Sequence, residues 1–178
     1  MTAIAIRRAT IASIAVAIAA WLLRPQLASA LVVRGDEQLY RARPLDALHY
    51  YERALKLNPL DGQAVDRFLF VALTLKRSDA VESGIASASV YLRATDDGVV
   101  RFDRAMAYRS RGAFERALAD FIFVGRREHN ATALTFAGFS AEKLGRRVAA
   151  IALWRSALRM SPHWFPAERA LKRAESRP

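Results

Sequence analysis

Apolar and small residues recur three to five apart between positions 105 and 121: Ala105, Tyr108, Phe114, Ala117 and Phe121, with a break at Gly112. This spacing gathers side chains on helix faces, and the glycine break predicts two helices joined by a tight turn. The pattern returns as Gly138, Gly145, Ala150, Trp154, Ala157 and Pro162, and again as Gly35, Ala42, Ala47, Tyr51, Ala54 and Pro59. In each copy a small residue stands twelve places before a key alanine (Ala47, Ala117 or Ala150), and an aromatic stands four places after it. Ala117 and Ala150 are 33 residues apart; Ala47 and Ala117 are 70 apart. The larger gap leaves room for one more unit of about 35 residues. A period in this range predicts a stacked helical array, with an ordinary alanine-rich bundle as the alternative.

Two antiparallel helices approach closely where one presents Gly or Ala. Gly35, Ala105 and Gly138 on first helices, with Ala47, Ala117 and Ala150 on second helices, are the expected contact points. Tyr51, Phe121 and Trp154 are expected to fill space towards the neighbouring unit, and Pro59 and Pro162 to end second helices. The stretches Gly112-Ala113-Phe114-Glu115-Arg116-Ala117-Leu118 and Tyr50-Tyr51-Glu52-Arg53-Ala54-Leu55-Lys56-Leu57-Asn58-Pro59 are close to the consensus of a known family. From about Ala28 to Trp164 the chain resembles the tetratricopeptide repeat (TPR) family, whose unit is a 34-residue helix-turn-helix. The resemblance implies an all-α, right-handed helical-repeat solenoid of about four TPR-like helix pairs with a C-terminal capping helix. A hydrophobic N-terminal helix would precede it, with residues 1–24 as anchor or signal and 25–178 as the repeat domain.

The expected pairs are 26–42 with 44–57, 62–76 with 79–93, 98–111 with 113–127, and 131–144 with 146–160. A capping helix follows over 164–176, with Trp164, Ala167, Leu171 and Ala174 on one side. Pro44 and Pro166 fit first turns. Asp61, Ser78 and Asn130 are expected N-caps, and residues 95–98 a turn. The second unit departs from the family wording: Phe68 stands where a small residue is expected, and Gly84 where an aromatic is.

At the N-terminus Arg7 and Arg8 precede an uncharged run over residues 9–23. As a helix it is about 22 Å long, against a hydrocarbon core of about 30 Å. Ile4, Ala5 and Ile6 lengthen it if the two arginines snorkel. One reading is an uncleaved membrane anchor over residues 4–23. The other is a secretory signal with Ala28-Ser29-Ala30 as its cleavage site, so that the protein is secreted after a cut following Ala30. Both put the repeats in the periplasm or another extracytoplasmic compartment. We favour the anchor, because a cut after Ala30 would remove the start of the first repeat helix.

The chain has no cysteine, which excludes disulfides, thiolate metal sites and cysteine nucleophiles. Its net charge of +11 admits an anionic partner such as phospholipid headgroups or nucleic acid, or a compositional habit of the source genome. His49, His129 and His163 are far apart in the chain, and there is no metalloprotease motif, phosphate-cradling loop or nucleophile elbow. We therefore expect no enzyme, no metal, no cofactor and no small-molecule substrate.

Binding is what remains, and by resemblance the lining side chains lie on first helices between packing positions. These are Val32, Asp36, Leu39 and Tyr40; Phe102, Met106 and Arg109; and Thr135, Phe139, Glu142 and Lys143. A mixed set of this kind suits a protein or peptide segment, and Tyr40, Met106 and Arg109 are the expected anchors. A carboxylate clamp of the chaperone type does not fit, since Asp36, Met106 and Phe139 occupy slots where clamp-bearing members carry amides or bases. The reading is a protein-interaction scaffold at the cell envelope. The runner-up is a binder of an anionic surface or nucleic acid through the Arg-rich exterior, with nucleic acid the less expected partner.

Overall fold

A computed structural model of the protein describes residues 18, 19 and 21–176. Among them are nine α-helices and no strand: α1 (Arg24–Tyr40), α2 (Pro44–Leu57), α3 (Gly62–Thr74), α4 (Ser78–Ala94), α5 (Gly98–Ser110), α6 (Phe114–Arg127), α7 (Ala131–Lys143), α8 (Arg147–Met160) and α9 (Phe165–Glu175). All four expected pairs and the capping helix are present, with ends within two residues of the expected ones. The chain divides into two compact units, 1–64 and 65–178, and the boundary falls inside α3.

The helix ends follow local chemistry. Pro44 stands in the first turn of α2, where its missing N–H costs nothing. Asp61 accepts a hydrogen bond from the Ala64 amide (3.0 Å) and Asn130 one from Ala133 (2.9 Å), as expected of N-caps. Asp97, read from sequence only as part of a turn, caps α5 by accepting from Val99 and Val100. Ser78 is not a cap: α4 already includes it, and the cap position falls to Arg77, whose guanidinium pairs with Asp79 instead.

The turn inside every pair has one construction. Residues 42, 76, 112 and 145, spaced by 34, 36 and 33, all have positive φ. The amide that follows each donates to the carbonyl five residues back: Arg43 to Gln38, Arg77 to Ala72, Ala113 to Tyr108 and Arg146 to Ala141. This is a helix C-cap closed through a left-handed residue. Two of the four are glycine; the others are Ala42 and Lys76, which adopt that conformation at some cost.

In the first unit α1 packs on α2. The Tyr51 ring lies against Gly35, where a Cβ would overlap it, and the Tyr51 hydroxyl donates to Asp36 (2.6 Å). Helical hydrogen bonding continues upstream of α1, with Leu23 donating to Ala19 and Leu27 to Leu23. No helix among the described residues is long and apolar enough to cross a membrane. Most of the apolar run expected as an anchor lies outside those residues.

In the second unit helices adjacent in sequence pack on one another from α4 to α9. The expected direction of the key aromatics needs correcting. Trp154 lies against Gly138 of its own pair, where even a Cβ would overlap the indole. Its Nε1 donates to the Thr135 carbonyl (3.2 Å), also in its own pair. Phe121 touches Phe102 of its own pair and Phe136 of the next, with ring centroids 5.3 and 5.6 Å away.

The α3–α4 pair reverses this arrangement. Gly84, on its second helix, faces Leu69 and Phe68 of its first. The large and small partners have changed sides, so the contact survives while the sequence pattern does not. Successive pairs are also tied by arginine: Arg111 to Glu82 (2.8 Å), Arg146 to Glu115 (2.6 Å) and Arg173 to Glu142 (2.8 Å), spanning 29, 31 and 31 residues. Part of the Arg excess is thus spent inside the fold rather than offered to a partner.

Candidate functional site

The second unit presents its first helices, α5 and α7, side by side with the capping helix α9. Between them lies a cleft of about 720 Å³ lined by Arg109, Phe114, Phe139, Glu142, Lys143 and Arg173. A second cleft of about 350 Å³ shares Phe139 and Arg173 with it and adds Phe165, Pro166, Arg169 and Ala170. Phe139 stands at the junction because α7 holds it one turn from Thr135, and its ring packs on Trp154 (5.6 Å) and Phe136 (6.2 Å). Phe165 precedes Pro166 at the start of α9 and is 65% exposed.

Four of the expected groove residues therefore come together: Arg109, Phe139, Glu142 and Lys143. Glu142 is held by Arg173, which donates to both its oxygens (2.8 and 3.0 Å). Arg109 is half-buried over the Phe136 ring (4.9 Å), and its Nε is buried with no hydrogen-bond partner. Burial pushes its pKa down, and no carboxylate acts in the opposite sense. Lys143 is exposed and makes no ion pair among the described residues.

The other expected residues go elsewhere. Thr135 is 2% exposed and cannot line an open surface. Its hydroxyl donates to Ala131 and accepts from the Trp164 indole (3.0 Å), and its carbonyl accepts from Trp154. It is a structural node between two tryptophans. Phe102 and Met106 are half-buried against the core of α5–α9, and Phe102 continues the aromatic contacts through Phe121 and Phe136. In the first unit Val32 is 2% exposed and belongs to the α1–α2 packing, Asp36 is tied to Tyr51, and Leu39 is half-buried. Tyr40 alone is open, at 94% exposure. Sequence reasoning missed Phe136, Phe165 and Arg173. The aromatic beneath Arg109 comes from the next pair, and the last helix was read only as an end cap.

An acidic pair lies on α3 and α5. The Asp103 carboxyl is raised to about 8, first by burial, then by a hydrogen bond to and repulsion from Asp66, and by Asp97. One Asp103 oxygen is buried without a donor, which the neutral acid resolves by donating a proton to Asp66. Arg67 lies 3.9 Å from the Asp66 carboxylate. The folded state therefore holds a proton that the unfolded chain releases above about 3.8, so stability falls as pH rises from there through about 8. The melting temperature should drop between about pH 4 and 8 and level off above that. Asp103→Asn, which keeps a donor towards Asp66, should flatten that drop and melt higher at pH 9. A variant that tracks the parent across this range would show that Asp103 is ionised throughout.

No protein-family model matches the sequence, and no curated protein matches it either. Solved structures do. YrrB, described as a TPR protein with an unusual peptide-binding site, superposes with a TM-score of 0.71 at 20% identity, over 82% of this chain and 74% of its own. The fold is that of TPR proteins. MamA from Desulfovibrio magneticus RS-1 (residues 41 to the end) gives 0.72 at 13% identity, over 83% of each chain. A chain of the APC/C hetero-tetramer Cut9-Hcn1 gives 0.66 at 17% identity, over 81% of this chain and 29% of its own. A TPR fold accounts for the succession of helix pairs, followed here by α9.

Proposed function

We propose that the protein is a non-enzymatic scaffold at the cell envelope, holding a segment of another protein in the cleft of α5, α7 and α9. The observation that carries this is the joined pair of clefts, in which exposed aromatic surface lies beside charged groups on three helices. That mixture gives an extended segment both buried area and orientation. The peptide-binding site named for YrrB is consistent with such a role on this fold.

The envelope location rests on the N-terminus. Ile18, Trp21, Leu22, Leu23 and Leu27 are exposed apolar residues leading into α1. Ala28, fully buried, lies within α1, so a cut after Ala30 would remove about two turns of a packed helix. Retention as an anchor over residues 4–23 leaves that helix whole.

The test is crosslinking capture from detergent-solubilised membranes, with which the protein should fractionate and resist carbonate. Phe165→Ala and Lys143→Ala should each reduce capture of the native partner severalfold, because a few anchors dominate such interfaces. Arg53→Ala and Arg155→Ala, exposed on second helices, should leave it unchanged. Loss with the second-helix variants and not the cleft variants would move binding to the basic exterior.

A further inference from the structure

Among the cations of the second unit, Arg109 stands apart. Arg111, Arg127, Arg146, Arg155 and Arg173 each reach a carboxylate. Arg101 and Arg104 share Asp120. Arg109 is half-buried, rests on Phe136 and makes no ion pair among the described residues. A partly desolvated guanidinium without a counter-charge is costly to hold, and a carboxylate supplied from outside would recover that cost. Lys143 lines the same cleft, also without an ion pair, while Arg173 and Glu142 neutralise each other at its wall. Two positive charges therefore face a cleft in which Glu142, the one acid among its described lining residues, is already engaged.

We propose that this cleft selects its partner segment through an Asp or Glu side chain held by Arg109 and Lys143, with an apolar neighbour of that acid against Phe139 and Phe165. The inference rests on the cleft reading above and adds the chemistry of the occupant. A planar guanidinium fixed over a ring is oriented in advance for two parallel hydrogen bonds to one carboxylate. The mobile Lys143 ammonium supplies a second charge without fixing geometry. The two clefts share Phe139 and Arg173 in their walls, so one segment can reach from the cations to Phe165.

The test begins with a displayed library of random dodecapeptides, selected on the full chain in detergent micelles. Selected peptides should be enriched in Asp or Glu beside an aliphatic or aromatic residue. The tightest is then made with a dye and an amidated C-terminus. Changing its acid to Asn or Gln should weaken binding about tenfold or more. Arg109→Gln and Lys143→Gln should weaken the parent peptide similarly and barely affect the amide version, which shows that each cation meets that acid. Lys143 is exposed, so its variant folds even if Arg109→Gln does not.

Equal binding of acid and amide peptides would overturn the proposal, as would enrichment of basic peptides. Dependence on a free C-terminal carboxylate, or displacement by millimolar inorganic phosphate, would overturn it by assigning the cations to another anion. If Phe165→Ala weakens selected peptides while the cation variants do not, the cleft stands and this inference falls. If neither does, or no peptide is selected, both fall.

Discussion

Replacing Trp154 with Ala should lower the unfolding free energy by about 3–5 kcal/mol, measured by chemical denaturation. The indole is fully buried, stacks near Phe139 and lies on Gly138. Its removal leaves a cavity and takes away the side-chain donor to the buried Thr135 carbonyl. The reciprocal change follows from the same contact. A Cβ at Gly138 overlaps the indole, so Gly138→Ala should cost about 1–3 kcal/mol, and Gly138→Leu at least as much. In the Trp154→Ala background, Gly138→Leu should cost much less or even restore stability, because the new side chain enters the vacated space. A double-mutant cycle reads this as a coupling of about 1–3 kcal/mol. Additive effects would mean that Gly138 and Trp154 do not share a contact.

Asp120→Ala should be nearly as damaging, at about 3–5 kcal/mol. Asp120 is buried on α6 and accepts two bonds from Arg104 (both 2.8 Å), with Arg101 at 3.6 Å. Arg104 also donates to Ser89, so one carboxylate organises α4, α5 and α6. Burial works against the Arg104 charge, and Asp120 outweighs it. Without Asp120 the largely buried Arg104 guanidinium loses its counter-charge, and Arg101 keeps only Asp96 at 3.3 Å. Replacing both partners, as Arg104→Met with Asp120→Leu, should cost far less than Asp120→Ala, since a buried pair offsets its own desolvation only when complete. A double variant as unstable as the single one would show that shape, rather than charge, holds the site.

The helix pairs were legible from sequence because their contacts repeat as residue types. Gly35 with Tyr51 and Gly138 with Trp154 are small-on-large contacts written at constant spacing. The second pair was obscure for two physical reasons. Its large and small partners are exchanged between helices, and its left-handed turn residue is Lys76 where glycine is the usual sign. The turn hydrogen bonds, which recur there as elsewhere, have no side-chain signature. The cleft was half legible. The resemblance to the TPR family placed Arg109, Phe139, Glu142 and Lys143 on the lining face, and all four border one cleft. Spacing could not separate Lys143, which is open, from Thr135, which is sealed by two indoles. Nor could it show that Arg109 lacks an acid, because that depends on where every carboxylate on three helices points. The Asp66–Asp103 meeting crosses 37 residues and joins two helices that are not neighbours in the chain.

The arginine ties between successive pairs have a consequence for how the protein is made. Each closes a span of about thirty residues, which is little more than one helix pair. Closing such short loops is entropically cheap, and a chain dominated by them folds fast. Emerging from the ribosome, α4 and α5 can meet and place Arg111 on Glu82 before α8 has been translated. Of the described helices α9 leaves last, and it supplies Arg173 and one wall of the cleft. The cleft is thus completed only after the other helices that line it are available to receive α9.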